Sequence, residues 1–176
     1  GEDKPTDPVA LGKEYAADRA AAALAQQGVV HGYVNLAGDL NVLGPRPDGR
    51  PWTIAIRHPR QAGQVVATLP VHRGGLATSG DYERAFDLDG RRWCHVLDPS
   101  SGMPVTHWQS VSVLAANATA AGSAATLTML MQAQGLHFLH SSGLDFLAID
   151  HQGELHMPAE PLQSAQHAVN DRQTVG

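Results

Sequence analysis

Apolar and polar positions follow two rhythms along this chain, and the switch between them divides it into elements. From Lys13 the apolar positions Tyr15, Ala16, Ala20 and Leu24, with alanines between them, recur at helical spacing and stop near Gly28, which predicts an amphipathic helix. The period then becomes two and the residues β-branched, in VVHGYVNL, DLNVLG and WTIAIRHP, each bounded by Gly or Pro, which predicts strands. Further strands are predicted at QVVATLPV, around GGLAT, at YERAFDLDG and at RRWCHVLD, with Asp89-Gly90 suited to a tight hairpin between the last two. After the loop DPSSGMPV come a strand at SVSVLAA, a helix from Ala118 to Gln134, and the short strands FLAID and ELHMP around HQG. Strands grouped in this way, rather than alternating with helices, predict an α+β fold. Residues 1–12, with two prolines and no period, read as an extended lead-in, 13–160 as the folded domain, and 161–176 as a polar tail that frays.

Composition narrows the function classes. A chain of 176 residues with 43% hydrophobic content suits one domain. Twelve Lys and Arg against 17 Asp and Glu give a net charge of −5, with no positive field for a phosphate backbone, so nucleic acid is not an expected partner. No apolar run reaches the roughly 18–20 residues of a membrane helix, so no membrane span is expected. Cys94 is the single cysteine and can form neither an internal disulfide nor a thiolate metal cluster. Of the ten histidines, His137 and His140 lie three apart on a short apolar segment and read as packing residues, because a fixed zinc site needs three or four converging ligands.

Four clusters carry candidate chemistry, and each has a plain structural reading beside it. In GYVNLAGDL small residues interrupt two strands, as where a ligand or backbone approaches closely; a simple hairpin turn explains the same pattern. In LATSGDYER, Thr78, Ser79 and Gly80 offer hydroxyls and backbone N–H groups suited to phosphate, and Ser-Gly turns are also common without one. In HVLDPSSG, His95 and Asp98 flank a stiff Pro-Gly loop, pairing a proton-moving imidazole with a carboxylate; the alternative is a hydrogen-bonded turn. The small residues at TAAGSAAT would leave a helix N-terminus open to an anion, or let the helix pack tightly.

Taken in order, GKEYAADRA, GYVNLAGDL, TSGDYER, HVLDPSSGMPV and SVSVLAA with its Ala-rich helix resemble the ApbE family, across roughly residues 10 to 130. Members transfer FMN from FAD to a Thr or Ser of a target protein, and their usual motifs look like A-K-G-Y-A-x-D, V-N-x-G-G-D, T-S-G-x-Y-x-R, H-I-x-D-P-x-T-G and A-D-A-x-x-T. The resemblance implies an ApbE-like, T-fold-related mixed sheet with packed helices. It implies that Lys13, Tyr15 and Asp18 lie along the dinucleotide, and that Asn35, Gly38 and Asp39 shape the flavin wall. Thr78, Ser79, Gly80 and Tyr82 would stand near the phosphates and adenosine, and His95, with Asp98, would take the proton of the acceptor hydroxyl. FAD would be a substrate and Mg2+ a cofactor, held through Thr126 and the carbonyl of Gly12.

The chain also departs from that pattern. The family places an Asp four residues before the metal-site Thr; this position is Gly122, and no Asp or Glu occurs between Asp98 and Asp145. The A-K-G triplet is Gly12-Lys13-Glu14, and the second motif has Ala37 for its first glycine. Glu14 would either repel the diphosphate or supply the missing oxygen. Family members run close to twice this length, so the sequence reads either as part of a longer protein or as a short form that completes itself by pairing, most simply as a homodimer. Three functions stay open: an FMN transferase acting on a target flavoprotein, a flavin- or nucleotide-binding protein without turnover, and an interaction subunit without a flavin site. The resemblance also implies a periplasmic or membrane-associated exterior location.

Overall fold

In the computed structural model, which describes residues 9–82, 85–88 and 91–159, the chain forms an α+β fold around a six-stranded sheet. Helix α1 (Val9–Gln26) leads into the hairpin β1 (Gly32–Leu36) and β2 (Asp39–Gly44), followed by β3 (Trp52–Arg57), β4 (Val65–Val71) and β5 (Gly74–Gly80). Strands β6 (Ala85–Leu88) and β7 (Arg91–Cys94) precede β8 (Trp108–Ala115), α2 (Ala118–Met131), α3 (Gly135–Ser142), β9 (Asp145–Asp150) and β10 (Leu155–His156). The sheet order is β1-β2-β5-β8-β9-β10, antiparallel throughout, while β3-β4 and β6-β7 are separate hairpins.

The sheet is covered on both faces, which explains why β9 reads as an unbroken apolar run. Alternate side chains of a strand point to opposite faces. On one face, Phe146 and Ala148 of β9 join Val111 and Val113 of β8, Ala124, Ala125 and Met129 of α2, and Leu139 of α3 in the main core. On the other, Leu147 and Ile149 pack with Ile56 of β3 and with Val66, Ala67 and Leu69 of β4. Helix α2 lies close over β5 because Gly75 has no side chain; a Cβ there would collide with the backbone of Asn117 and Ala118.

Several boundaries differ from the sequence reading. Helix α1 begins by Val9 instead of Lys13, because nothing after Pro8 breaks it and Val-Ala-Leu continues the helical run. Helix α2 ends at Met131, before Gln134, where Gln132 takes φ 50° and its carbonyl accepts a 2.8 Å hydrogen bond from Trp108 Nε1. The segment holding His137 and His140 is the separate helix α3, with both histidines exposed and His140 edge-on to Phe146. Leu88 pairs with Arg91 across the hairpin as expected, but Asp89 and Gly90 lie outside the described residues, as do 1–8 of the lead-in and the tail 161–176.

Candidate functional site

Helix α1 and the start of α2 are joined by one carboxylate. Asp18 accepts hydrogen bonds from Ala118 N (2.8 Å), Thr119 N (2.9 Å), Thr119 Oγ1 (2.6 Å) and Asn41 Nδ2 (2.7 Å). With Asn117 Oδ1 accepting from Ala120 N, the orphan donors of the α2 N-terminus are met by protein groups. Burial works against the charged form of Asp18, but the hydrogen bonds from Thr119, Asn41 and Ala118 outweigh it and hold the carboxyl below its usual range. The anion-binding reading of this helix end is therefore not needed, since Asp18 is the anion it meets.

Where α1 crosses α2, strand β5 and the end of β7 complete a cavity of about 670 Å³ lined by Lys13, Glu14, Asp39, Thr78, Ser79, Gly80, Tyr82, His95, Gly122 and Thr126. A second cavity, of about 870 Å³, runs on from it between the β1-β2 turn and β3, lined by Asn35, Gly38, Trp52 and Ile54 among others. Both share Ala37, Asp39, Arg57, Thr78 and Tyr82, so they form one continuous cleft with volumes in the range of small-molecule sites.

The side chains reach the cleft for local reasons. Cys94 and Val96 are buried, with Cys94 Sγ donating toward the carbonyls of Val96 and Val105, while His95 between them, just past the end of β7, is exposed and lines the cavity. At the β1-β2 turn, Ala37 and Gly38 adopt φ 54° and 105°, and Gly38 N donates to Asn35 Oδ1 at 2.9 Å. Positive φ is costly for alanine, so this turn is strained where it meets both cavities. Lys13 Nζ lies 2.9 Å from the buried Asp39 Oδ2, tying α1 to β2. Thr78 Oγ1 and Ser112 Oγ lie 2.7 Å apart across the β5-β8 pair, and Asp81 just beyond Gly80 is gripped by both guanidinium nitrogens of Arg60 at 2.6 Å. That fork holds the Ser79-Gly80 corner against the loop after β3.

Of the residues singled out in the sequence, Lys13, Asn35, Gly38, Asp39, Thr78, Ser79, Gly80, Tyr82, His95 and Thr126 therefore line the cleft. Gly12, Tyr15, Asp18 and Asp98 are not among its lining residues. Tyr15 is 60% exposed, and Asp18 clasps α2. Asp98 Oδ1 accepts from Ser100 N (2.8 Å) and Ser100 Oγ (2.6 Å), and these bonds lower its pKa, so its carboxylate stiffens the loop that follows His95. Two features escaped the sequence reading: Arg57, whose strand gave no sign that it would meet the β1-β2 turn, and the Arg60-Asp81 fork, whose partners are distant in sequence.

Glu14 and Asp39 are both buried with one oxygen that makes no hydrogen bond among the described residues, but that oxygen of Asp39 is ion-paired with Lys13. Glu14 is 6% exposed, and its Oε2 has no hydrogen-bond partner among the described residues. Its Cγ and Oε1 lie 2.7 Å from where a Cβ on Gly122 would stand, so the side chain fills the space above that glycine. Burial raises its pKa; a backbone hydrogen bond offsets part of this, the charge of Asp39 adds to it, and Lys13 opposes it. Three metal-type side chains converge among the described residues at Asp150, Glu154 and His156, in the β9-β10 hairpin and away from Glu14. There Asp150 accepts from Gln152 N and Glu154 N and pairs with His156 Nε2 at 3.0 Å, which closes the turn.

Comparison with known proteins gives a consistent result. A sequence model described as the ApbE family matches residues 4–148. The FAD:protein FMN transferase of Klebsiella pneumoniae strain 342 is 35% identical over 147 residues, which is 82% of this chain and 42% of that protein. The enzyme of the same name from Escherichia coli K12 is 34% identical over the same shares. The crystal structure of the ApbE protein of Thermotoga maritima superposes with a TM-score of 0.80 at 33% identity, over 87% of this chain and 51% of that one. The flavin transferase ApbE of Vibrio cholerae gives 0.71 at 29%, over 84% and 48%. The chain thus spans about half the length of the relatives it matches.

Proposed function

Because the chain belongs to the ApbE family, we propose that it takes FAD along the continuous cleft and transfers FMN to a Thr or Ser hydroxyl of a target flavoprotein, releasing AMP. The observation that carries this reading is the convergence of Lys13, Ser79-Gly80, Tyr82 and His95, from distant parts of the sequence, on the wall of one cavity. Ser79 and Gly80 bring a hydroxyl and a backbone N–H toward a diphosphate, and Lys13 and Arg57 bring positive charge. The second cavity, with Tyr33, Trp52 and Ile54 beside Asn35, suits the flat apolar ring system. The acceptor oxygen forms a bond to the FMN-side phosphorus as the bond to the AMP oxygen breaks, and His95 receives the hydroxyl proton. Catalysis of this kind is mainly positioning and charge neutralisation.

Mg2+ belongs to the same proposal, and it is supported by Glu14, a residue of the cavity lining whose Oε2 has no hydrogen-bond partner among the described residues. Thr126 would hold it, and the ion would neutralise charge on the diphosphate; the carbonyl of Gly12, expected to share it, lies within α1 and outside the cavity lining. Pairing through the edge strand β1, with a second copy or with a preceding segment, is part of this reading, as is a periplasmic location; light scattering and cell fractionation test them. A second reading, FAD held without turnover, is favoured by Gly122, which leaves α2 without a carboxylate facing the cavity.

The deciding experiment follows AMP release from FAD with magnesium and a Thr-containing acceptor peptide. The transferase reading expects AMP stoichiometric with flavinylated peptide, and a loss of about 10²–10⁴-fold in His95→Ala. FAD binding without AMP selects the second reading, and undiminished turnover in His95→Ala removes the assigned base.

A further inference from the structure

We propose that Glu14 is a ligand for a divalent cation of the Mg2+ class, seated in the first cavity with the Thr126 hydroxyl, and that it does from α1 what a carboxylate at position 122 would do from α2. A carboxylate more than nine-tenths buried, with one oxygen lacking any hydrogen-bond partner among the described residues, is an unfavourable arrangement unless something outside the chain completes it. Glu14 lines the same cavity as Gly122 and Thr126, so an ion seated there would stand beside its carboxylate. Lys13, its neighbour in sequence, pairs with Asp39 Oδ2 at 2.9 Å.

The helix geometry supplies the second donor. Thr126 lies one turn beyond Gly122 on α2 and lines the same cavity. Glu14 packs directly over Gly122, and Thr126, one turn along the same face of α2, lines the same cavity, so one ion there would meet both side chains. Carboxylate and hydroxyl oxygens, with water completing the shell, suit a hard ion such as Mg2+ or Mn2+. The packing also links the two positions: with a Cβ on Gly122 meeting Glu14 Cγ and Oε1 at 2.7 Å, the site has room for one carboxylate, from either helix, but not for both.

This inference rests on the proposed function for the role of the ion, but its test does not use FAD. Mn2+ is titrated into the chain without flavin and followed by the loss of the free-ion EPR signal, with thermal midpoints recorded for every variant. Saturable binding is expected, weakened at least about tenfold in Glu14→Gln and also weakened in Thr126→Val, with metal-free midpoints preserved. Gly122→Asp alone is expected to destabilise the chain and not to tighten binding. The double change Glu14→Gly with Gly122→Asp is expected to restore binding, because it moves the carboxylate to the other helix. Equal Mn2+ affinity in wild type and Glu14→Gln, or no saturable binding by folded wild type at millimolar Mn2+, overturns the assignment. Mn2+ binding that depends on Glu14, without AMP release, leaves this assignment standing and removes the transferase reading. AMP release with Mn2+ affinity indifferent to Glu14 does the reverse.

Discussion

Glu14 and Asp18 sit one turn apart on α1, both turned toward α2, yet one leaves its Oε2 without a partner among the described residues and the other accepts four hydrogen bonds. A helix face presents positions i and i+4 alike, so the difference comes from what α2 brings to each. Asp18 meets the open N-terminus of α2, where unpaired donors are concentrated. Glu14 meets Gly122, further along the same helix, where every backbone N–H is already used within the helix and the missing side chain leaves only space. The first carboxylate holds the two helices together, and the second opens onto the cavity they enclose. The first is a buried charge with its partners in place, and the second is where the proposed cation would supply the one that is missing.

Substitutions at the two positions should therefore move stability in opposite directions. The largest effect is expected from Asp18→Ala, which leaves the Ala118, Thr119 and Asn41 donors unmet; the loss should be about 3 kcal/mol and lower the thermal midpoint by about 10 °C. Calorimetry showing less than a quarter of that shift would mean that water replaces the clasp. Glu14→Met should act the other way by a smaller amount, raising metal-free stability by about 1 kcal/mol because an unpartnered carboxylate is removed from a buried position. Added magnesium should stabilise wild type and not this variant. A lower midpoint for Glu14→Met without metal would show that Glu14 is satisfied in the folded chain and would erase the contrast.

The smallest signal lies at low pH. The folded pKa of Asp18 is depressed below its ordinary 3.8, so its contribution is fully present above that value and is lost as the pH falls through the folded one. Acid unfolding curves should show this component below about pH 4 in wild type and not in Asp18→Asn. Coincident acid limbs for the two proteins would mean that the hydrogen bonds to Asp18 do not favour its charged form.

Much of this was legible in the sequence, for identifiable reasons. Period-two patterns placed the hairpin β1-β2 and the strands β3, β4 and β8, because half-buried strands alternate by geometry, and the small residues of 118–126 marked the helix that packs over β5. The ordered motifs named most of the cleft lining, since His95, Ser79 and Lys13 occur in recognisable local patterns. Long-range pairing was not legible: nothing local says that β3-β4 covers the sheet instead of joining it, or that Arg60 grips Asp81. Helix α3 was missed because a short apolar segment carries no clear period. The sequence reading put Asp18 along the ligand and Asp98 beside the catalytic histidine, because a motif shows which residues recur and not what they touch; in the fold both carboxylates accept hydrogen bonds from backbone N–H groups. The departure at Glu14 and Gly122 was visible as two separate oddities, and only the fold shows that one fills the space left by the other.

The central claim is that the two joined cavities form a flavin dinucleotide site that a divalent cation completes. Its most direct test is an equilibrium titration of the purified chain with FAD, followed by flavin fluorescence, with and without millimolar magnesium. The account predicts saturable micromolar binding that magnesium strengthens. Fluorescence that never saturates, from protein shown by calorimetry to be folded, would contradict it.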